Sequence, residues 1–325
     1  MYADLALIAA LTEVAVGYPD ALYRRLGHPV SWLGALIAWC DQAWNSEALP
    51  FKQRRLRGTG VLLLLLVVSI AAGVAIDWIA GYFLPPIPVM LVSGVIGSVF
   101  LAQRSLYAHV EAVAAALEGE GVEAGRRAVS MIVGRDTKNL DEAAISRAAI
   151  ESLAENFSDG VVAPLFWMVV TGLPGAIAYK AVNTADSMIG HKSPRHLAFG
   201  WASARFDDLL NLPASRLTAL WLTLAAALTP GQSASHALAA VWRDARNHNS
   251  PNAGWPEAAM AGALGIRLAG PRIYHGVKVN EHWMGDGRSD LTASDIRAAL
   301  KLYRLACALQ IIVLAAIVAL AALRA

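Results

Sequence analysis

Charge is what this sequence has least of. Lys, Arg, Asp and Glu make up 16% of its 325 residues, against about 25% in soluble domains. The net charge of +2 is small, which excludes the strongly basic surface of a nucleic-acid binder, and no nucleic-acid partner is expected. Cysteine is nearly absent. Cys40 and Cys307 stand far apart in apolar surroundings, which excludes a disulfide framework and a cysteine zinc site. There is no Gly-x-x-x-x-Gly-Lys-Ser/Thr phosphate loop and no Gly-x-Ser-x-Gly elbow. No serine or cysteine nucleophile stands with a credible base, and no repeat of 20–50 residues is visible. The opening Met1-Tyr2-Ala3-Asp4 lacks the basic start of a signal peptide, so the first apolar run is expected to be retained.

What is present is apolar. Hydrophobic residues make up 56% of the chain and the mean hydropathy is +0.46, the composition of an integral membrane protein. The expected architecture is an all-α membrane protein of about five membrane helices, in one polytopic domain over residues 1–325. Leu5–Val16 is short, with Asp4 and Glu13 at its edges, and reads as a first membrane helix or an interfacial one. Ser31–Trp44 forms a Trp-rich helix of interfacial character. Gly60–Ala80 is the clearest span, about 20 residues being enough to cross a bilayer. The basic cluster Lys52-Gln53-Arg54-Arg55-Leu56-Arg57 before it points to the cytoplasm by the positive-inside rule, or to anionic lipid on that side. Pro85-Pro86 marks the outer turn, and Val89–Leu106 returns.

Residues 107–160 read as a cytoplasmic insert of two or three amphipathic helices, broken at Gly119-Glu120-Gly121 and near Gly134. Val161–Asn183 carries Gly172-Leu173-Pro174-Gly175 in its middle, so a re-entrant hairpin and a single kinked helix both fit. Leu212–Thr229 and Leu305–Leu323 are further span candidates. Residues 231–304 are rich in Lys and Arg and read as a cytoplasmic-side polar segment. The parity conflicts: both 180–211 and 231–304 look cytoplasmic, yet a single span between them would separate them.

Four polar islands sit beside the apolar segments. The first joins Gly134-Arg135-Asp136-Thr137 to Glu151-Ser152-Leu153-Ala154-Glu155-Asn156-Phe157-Ser158-Asp159-Gly160, where Glu151, Glu155 and Asp159 recur at helical spacing on one face. Such a face needs a cation or ligand to offset its repulsion, or else it is simply solvated, with Arg147 paired to Glu151. The second runs from Tyr179 to Lys192, with Lys180, Asn183, Asp186 and Ser187. The third is Trp201-Ala202-Ser203-Ala204-Arg205-Phe206-Asp207-Asp208-Leu209-Leu210-Asn211. The fourth is Asn249–Glu257, in which Asn252 and Glu257 could also be capping residues. Carboxylates at helical spacing suit Mg²⁺ held jointly with phosphate oxygens; Lys and Arg suit phosphate or carboxylate. Phosphate chemistry at a membrane surface follows. A phosphotransferase, a prenyltransferase using the Asn-x-x-Asp runs (Asn156/Asp159, Asn183/Asp186) and a ligase all remain open on residue chemistry.

The islands, with His28-Pro29-Val30 and Ser250-Pro251-Asn252-Ala253-Gly254, resemble the cobalamin-biosynthesis CobD/CbiB family, the adenosylcobinamide-phosphate synthases. The resemblance runs in order over most of the chain. One departure is Gly17-Tyr18-Pro19, where many members have an Asp between the Gly and the Pro. The resemblance implies an enzyme of the cell inner membrane with its active side cytoplasmic. It would join the free propionate carboxylate of adenosylcobyric acid, a corrinoid, to (R)-1-aminopropan-2-ol or its O-phosphate as an amide. ATP and Mg²⁺ are the implied activators, with an acyl phosphate as the simplest activated form. Other late enzymes of the corrinoid pathway are possible neighbours in the membrane lipid.

On that resemblance Glu155, Asp159 and Asp186 take the metal–phosphate role. Lys180 and Arg135 neutralise phosphate, and Asp207 or Asp208 holds or deprotonates the amine. Asn156, Asn183, Lys192, Asn252 and Glu257 complete the substrate-binding set. Trp201, Trp255 and Trp283 could face the corrinoid or anchor the membrane interface.

Overall fold

The computed structural model describes residues 2–134, 136–270, 272–274, 277–279 and 282–324. In chain order its helices are α1 (Ala3–Val16), α2 (Asp20–Leu26), α3 (Pro29–Trp44), α4 (Phe51–Phe83), α5 (Pro86–Ser98), α6 (Gln103–Glu120), α7 (Val122–Ser130), α8 (Glu142–Phe157), α9 (Ala163–Ile189), α10 (Trp201–Ala227), α11 (Ala234–Asp244), α12 (Gly254–Leu264) and α13 (Ala293–Ala322). A single π turn, Ser158–Val162, lies between α8 and α9. Two-residue strands β1 (Leu268–Ala269) and β4 (Trp283–Met284) pair antiparallel, as do β2 (Arg272–Tyr274) and β3 (Val277–Val279).

The protein is a helical membrane protein, as its composition predicts. Four stretches among the described residues are long and apolar enough to cross a bilayer: Phe51–Phe83, Pro86–Glu120, Glu142–Ile189 and Ala293–Ala322. A fifth arises if the bent pair Ala3–Val16 and Ala21–Trp44 is one span. Two differences from the sequence reading follow. Residues around Gly172 do not divide two segments. Glu142–Ile189 passes as one stretch, and Gly172 absorbs the irregularity at φ 73, outside helical geometry; a glycine takes such a φ without steric penalty. α10 is not among the crossing candidates, because Asn211, Ser215 and Arg216 dilute its apolar run. With no crossing assigned there, the two basic regions are no longer forced to opposite sides.

The chain falls into two compact units: Met1–Ala102 with Ala163–Asn211 and Leu314–Ala325, and Gln103–Val162 with Leu212–Val313. The first is built on α3, α4 and α9. Ile37 and Cys40 of α3, Val61 and Leu65 of α4, and Ala181, Ala185 and Ile189 of α9 form one buried cluster with Phe199. Close approach depends on missing side chains. A Cβ on Gly58 would lie 1.7 Å from the Phe199 carbonyl oxygen, and one on Gly73 would lie 2.5 Å from Pro174 Cα. The segment between α9 and α10 is tied down by polar contacts. Arg195 bonds Asp41 at 2.8 Å, Asn45 donates to the Arg195 carbonyl at 3.0 Å, and Arg54 donates to Asn45 at 2.9 Å.

In the second unit α8 packs with α6, α7 and α12, and α11 packs with α12. Phe157 meets Tyr303 edge to face at 5.0 Å, and the Tyr303 hydroxyl donates to the Gln103 carbonyl. Arg297 of α13 bonds Glu111 and Glu118, one helical face of α6, at 2.7 and 2.8 Å.

Candidate functional site

In the first unit the second and third polar islands come together. α9 brings Tyr179, Lys180, Asn183 and Asp186; α10 brings Asp207, Asp208 and Asn211. Asp207 is 7% exposed. Asn211, one turn on, donates to its Oδ2 at 2.9 Å, and Asn183 donates to its Oδ1 at 3.4 Å. The Tyr179 hydroxyl donates to Asn211 Oδ1 at 2.8 Å, which orients the amide so that its NH₂ faces Asp207. Lys180 Nζ donates to Asn183 Oδ1 at 3.3 Å, so the lysine charge is held one residue from the buried acid. The i, i+3 and i, i+4 spacings in both helices are what place these groups on facing sides.

Burial, and then the neighbouring Asp186 charge, push the Asp207 carboxyl up to about 7, against the pull of the hydrogen bonds from Asn183 and Asn211. Burial also raises Asp208, opposed by Arg205 at 3.4 Å and by the Lys192 charge. The site therefore holds one acid poised to exchange a proton near neutral pH and a second biased toward its ionised form by two cations. A cavity of about 680 Å³ in the same unit has Tyr179, Phe206 and Leu210 in its wall.

In the second unit the three-acid face is not uniform. Glu151 is buried, and its Oε1 accepts the Ala269 backbone N–H at 2.7 Å. Arg147 donates to the Ser289 carbonyl at 2.6 Å. Glu155 and Asn156 are exposed and Asp159 is half-buried. Asp159 lies in the π turn, where the widened backbone breaks the 3.6-residue register that the sequence spacing assumed; such turns recur at functional sites. Asn156 donates back to the Ser152 carbonyl at 2.9 Å.

The fourth island is also in this unit. Asn252 is no helix cap: its Oδ1 accepts from Ser215 at 3.1 Å and from Arg216 at 2.9 Å. Glu257 is buried 3.7 Å from His248 Nε2. Lys192 is exposed on the segment after α9. Arg135 lies outside the described residues.

Sequence reasoning passed over two residues. Arg216 was hidden inside an apparent span, though a lone arginine in an apolar run is itself a signal. Asp244 looked like half of a solvated pair. It is buried, bonded to Arg243 at 2.7 Å and to the Gly285 N–H at 2.8 Å, where it fastens the 283–287 turn to α11.

Among the described residues no group of three or more His, Cys, Asp or Glu is arranged to hold a metal ion. Mg²⁺ needs only one or two carboxylates when substrate phosphates supply the remaining oxygens. The oxygen-only donor chemistry of Asp186, Asp207 and Asp208, near enough to influence one another's protonation, fits that demand.

Fold and site define a polytopic helical membrane protein with a buried acid–amide cluster. The chain belongs to the CobD/CbiB protein family, whose model matches residues 6–303. It is 53% identical over 312 residues to a cobalamin biosynthesis protein CobD from Sinorhizobium sp, covering 94% of this chain and 96% of the relative. It is 49% identical over 309 residues to the protein of that name from Rhodobacter capsulatus, covering 94% of each. With the Rhizobium meliloti protein the identity is 51% over 322 residues, 96% of this chain and 95% of the relative. No solved structure matches. A role in cobalamin biosynthesis follows from the family.

Proposed function

We propose that the protein joins the free propionate carboxylate of adenosylcobyric acid to (R)-1-aminopropan-2-ol or its O-phosphate as an amide. ATP with Mg²⁺ would supply the phosphoryl group that makes the carboxylate electrophilic. The observation that carries the reading is Asp207. An amine reaches the site as an ammonium ion and must lose a proton before it can attack. A carboxyl raised to about 7 is matched to that transfer at neutral pH, whereas an ordinary carboxylate is too weak a base. Asn183 and Asn211 each hold one oxygen of the acid, fixing its plane. Lys180, held by Asn183, is placed to offset negative charge on phosphoryl oxygens. Glu155 and Asp159 are assigned to the metal–phosphate complex, with Asp186 as a further ligand.

The same reading puts the protein in the cell inner membrane with its active side cytoplasmic, supported by the basic cluster Lys52–Arg57. It allows contact with other late corrinoid enzymes in the lipid. A prenyl- or phosphotransferase built on Asn-x-x-Asp is less well supported, since Asn183 already bonds Asp207 and Lys180. The test is Asp207→Asn, with membrane insertion confirmed separately. Loss of amide product by at least a hundredfold is expected, within the usual range for a general base. Near-normal turnover would remove Asp207 from the chemistry.

A further inference from the structure

Arg216 is a half-buried guanidinium on α10 whose bonded partners are all neutral. Its Nη1 donates to the Leu212 carbonyl at 3.2 Å, to Ser215 Oγ at 2.9 Å and to Asn252 Oδ1 at 2.9 Å. Its Nε and Nη2 have no acceptor among the described residues. Arg54 contrasts with it, because both its Nε and its Nη2 are bound to protein oxygens. The Arg216 plane is fixed from above by the Trp255 ring, 4.3 Å away. Asn252 is fixed in turn, for Ser250 Oγ accepts the backbone N–H groups of Asn252 and Ala253, both at 3.2 Å. The nearest charge bearing on Arg216 is a second cation, the exposed Arg246, which together with burial pulls its proton affinity down.

A desolvated cation without a counter-charge, beside a like charge, is an unfavourable arrangement unless an anion completes it. The open Nε–Nη2 edge is the fork that binds two oxygens of one oxyanion. Two guanidinium charges match the near-double negative charge of a phosphate monoester better than the single charge of a carboxylate.

We propose that Arg216, braced by Trp255 and Asn252 and assisted by Arg246, is a binding site for a phosphate monoester. Resting on the amide-forming reading above, its ligand is the phosphate of the amino-alcohol O-phosphate, which makes the phosphorylated amine the preferred substrate. The Ser250–Gly254 turn then has a use: it holds Asn252, and through it the guanidinium.

The test is a binding measurement that needs no turnover. The full protein in phosphatidylcholine nanodiscs is titrated by calorimetry, without ATP, with 1-aminopropan-2-ol O-phosphate and with 1-aminopropan-2-ol. The phosphorylated amine should bind at least tenfold more tightly. Arg216→Lys, which keeps charge but loses the fork, and the exposed Arg246→Gln should each weaken the phosphorylated amine about tenfold or more and leave the free amine within twofold. Equal binding of the two amines by the unaltered protein would overturn the proposal, and so would variants that weaken both equally. Weakened ATP binding with unchanged amine-phosphate binding would assign the arginines to the nucleotide. Loss of discrimination when anionic phospholipid is added would assign them to lipid headgroups. Either result contradicts the proposal. If phosphate discrimination persists while no amide forms with either amine, the site stands and the amide-forming reading falls.

Discussion

Asn211 donates to Asp207 Oδ2 at 2.9 Å while accepting from the Tyr179 hydroxyl at 2.8 Å. The chain of two bonds fixes the orientation of a buried acid from outside its own turn. It also sets a pH dependence whose sign can be worked out. Asp207 is raised from 3.8 to about 7, so the folded protein holds a proton there that the unfolded chain releases. Stability from this group is present below about pH 4 and falls as pH rises toward 7. Asp207→Asn should therefore be the more thermostable protein at pH 8, by at most a few kcal/mol, and no more stable than the parent at pH 4. Melting curves across that range check it. Activity should move the other way, rising with pH through a midpoint near 7 in the parent.

Glu151 accepts the N–H of Ala269, a non-glycine residue at φ 58. The bond offsets a left-handed backbone that costs roughly 1–2 kcal/mol. Glu151→Ala should lower stability by about 1–3 kcal/mol by leaving that buried N–H unpaired. Ala269→Gly should be neutral or stabilising by about 1 kcal/mol. Thermal unfolding of both variants tests the pair, and an unaffected Glu151→Ala would remove the anchor.

Glu155→Ala and Asp159→Ala, by contrast, should abolish amide formation while the protein still inserts in the membrane. Neither side chain is deeply buried, so melting temperature should change little. Retained turnover in both variants would contradict their metal–phosphate role.

Gly58→Ala places a Cβ 1.7 Å from the Phe199 carbonyl oxygen, where only backbone movement relieves the clash. A loss above about 3 kcal/mol is expected, at the severe end for one substitution. Gly81→Ala, with nothing within 4 Å, should be harmless. Expression and melting of the two, side by side, decide it.

Much of this protein is readable from its sequence because hydrocarbon imposes simple rules. α4 and α13 are long uninterrupted apolar runs. The breaks at Gly119–Gly121 and the double proline at 85–86 end helices where they stand. Less legible was whatever depends on packing. Gly172 and Pro174 permit a hairpin or a bend, and the close packing of Gly73 on Pro174 belongs to three dimensions. α10 carries enough polar side chains to leave the set of crossing helices, and these serve as partners for Asp207 and Asn252. The acidic islands were visible as islands. That Glu151 points inward to a backbone N–H was not, since the π turn shifts Asp159 relative to it and helical spacing alone cannot register such a turn. Asn183 was read as orienting substrate; it is placed within bonding distance of Asp207 and Lys180.

The central claim is amide formation, and product analysis tests it most directly. Purified protein is incubated with adenosylcobyric acid, Mg²⁺ and ATP, with aminopropanol in one arm and its O-phosphate in the other, and the corrinoids are analysed by mass spectrometry. The account predicts a corrinoid heavier by the amine less one water, formed only with ATP present and more readily with the phosphorylated amine. Unchanged adenosylcobyric acid in both arms would contradict it.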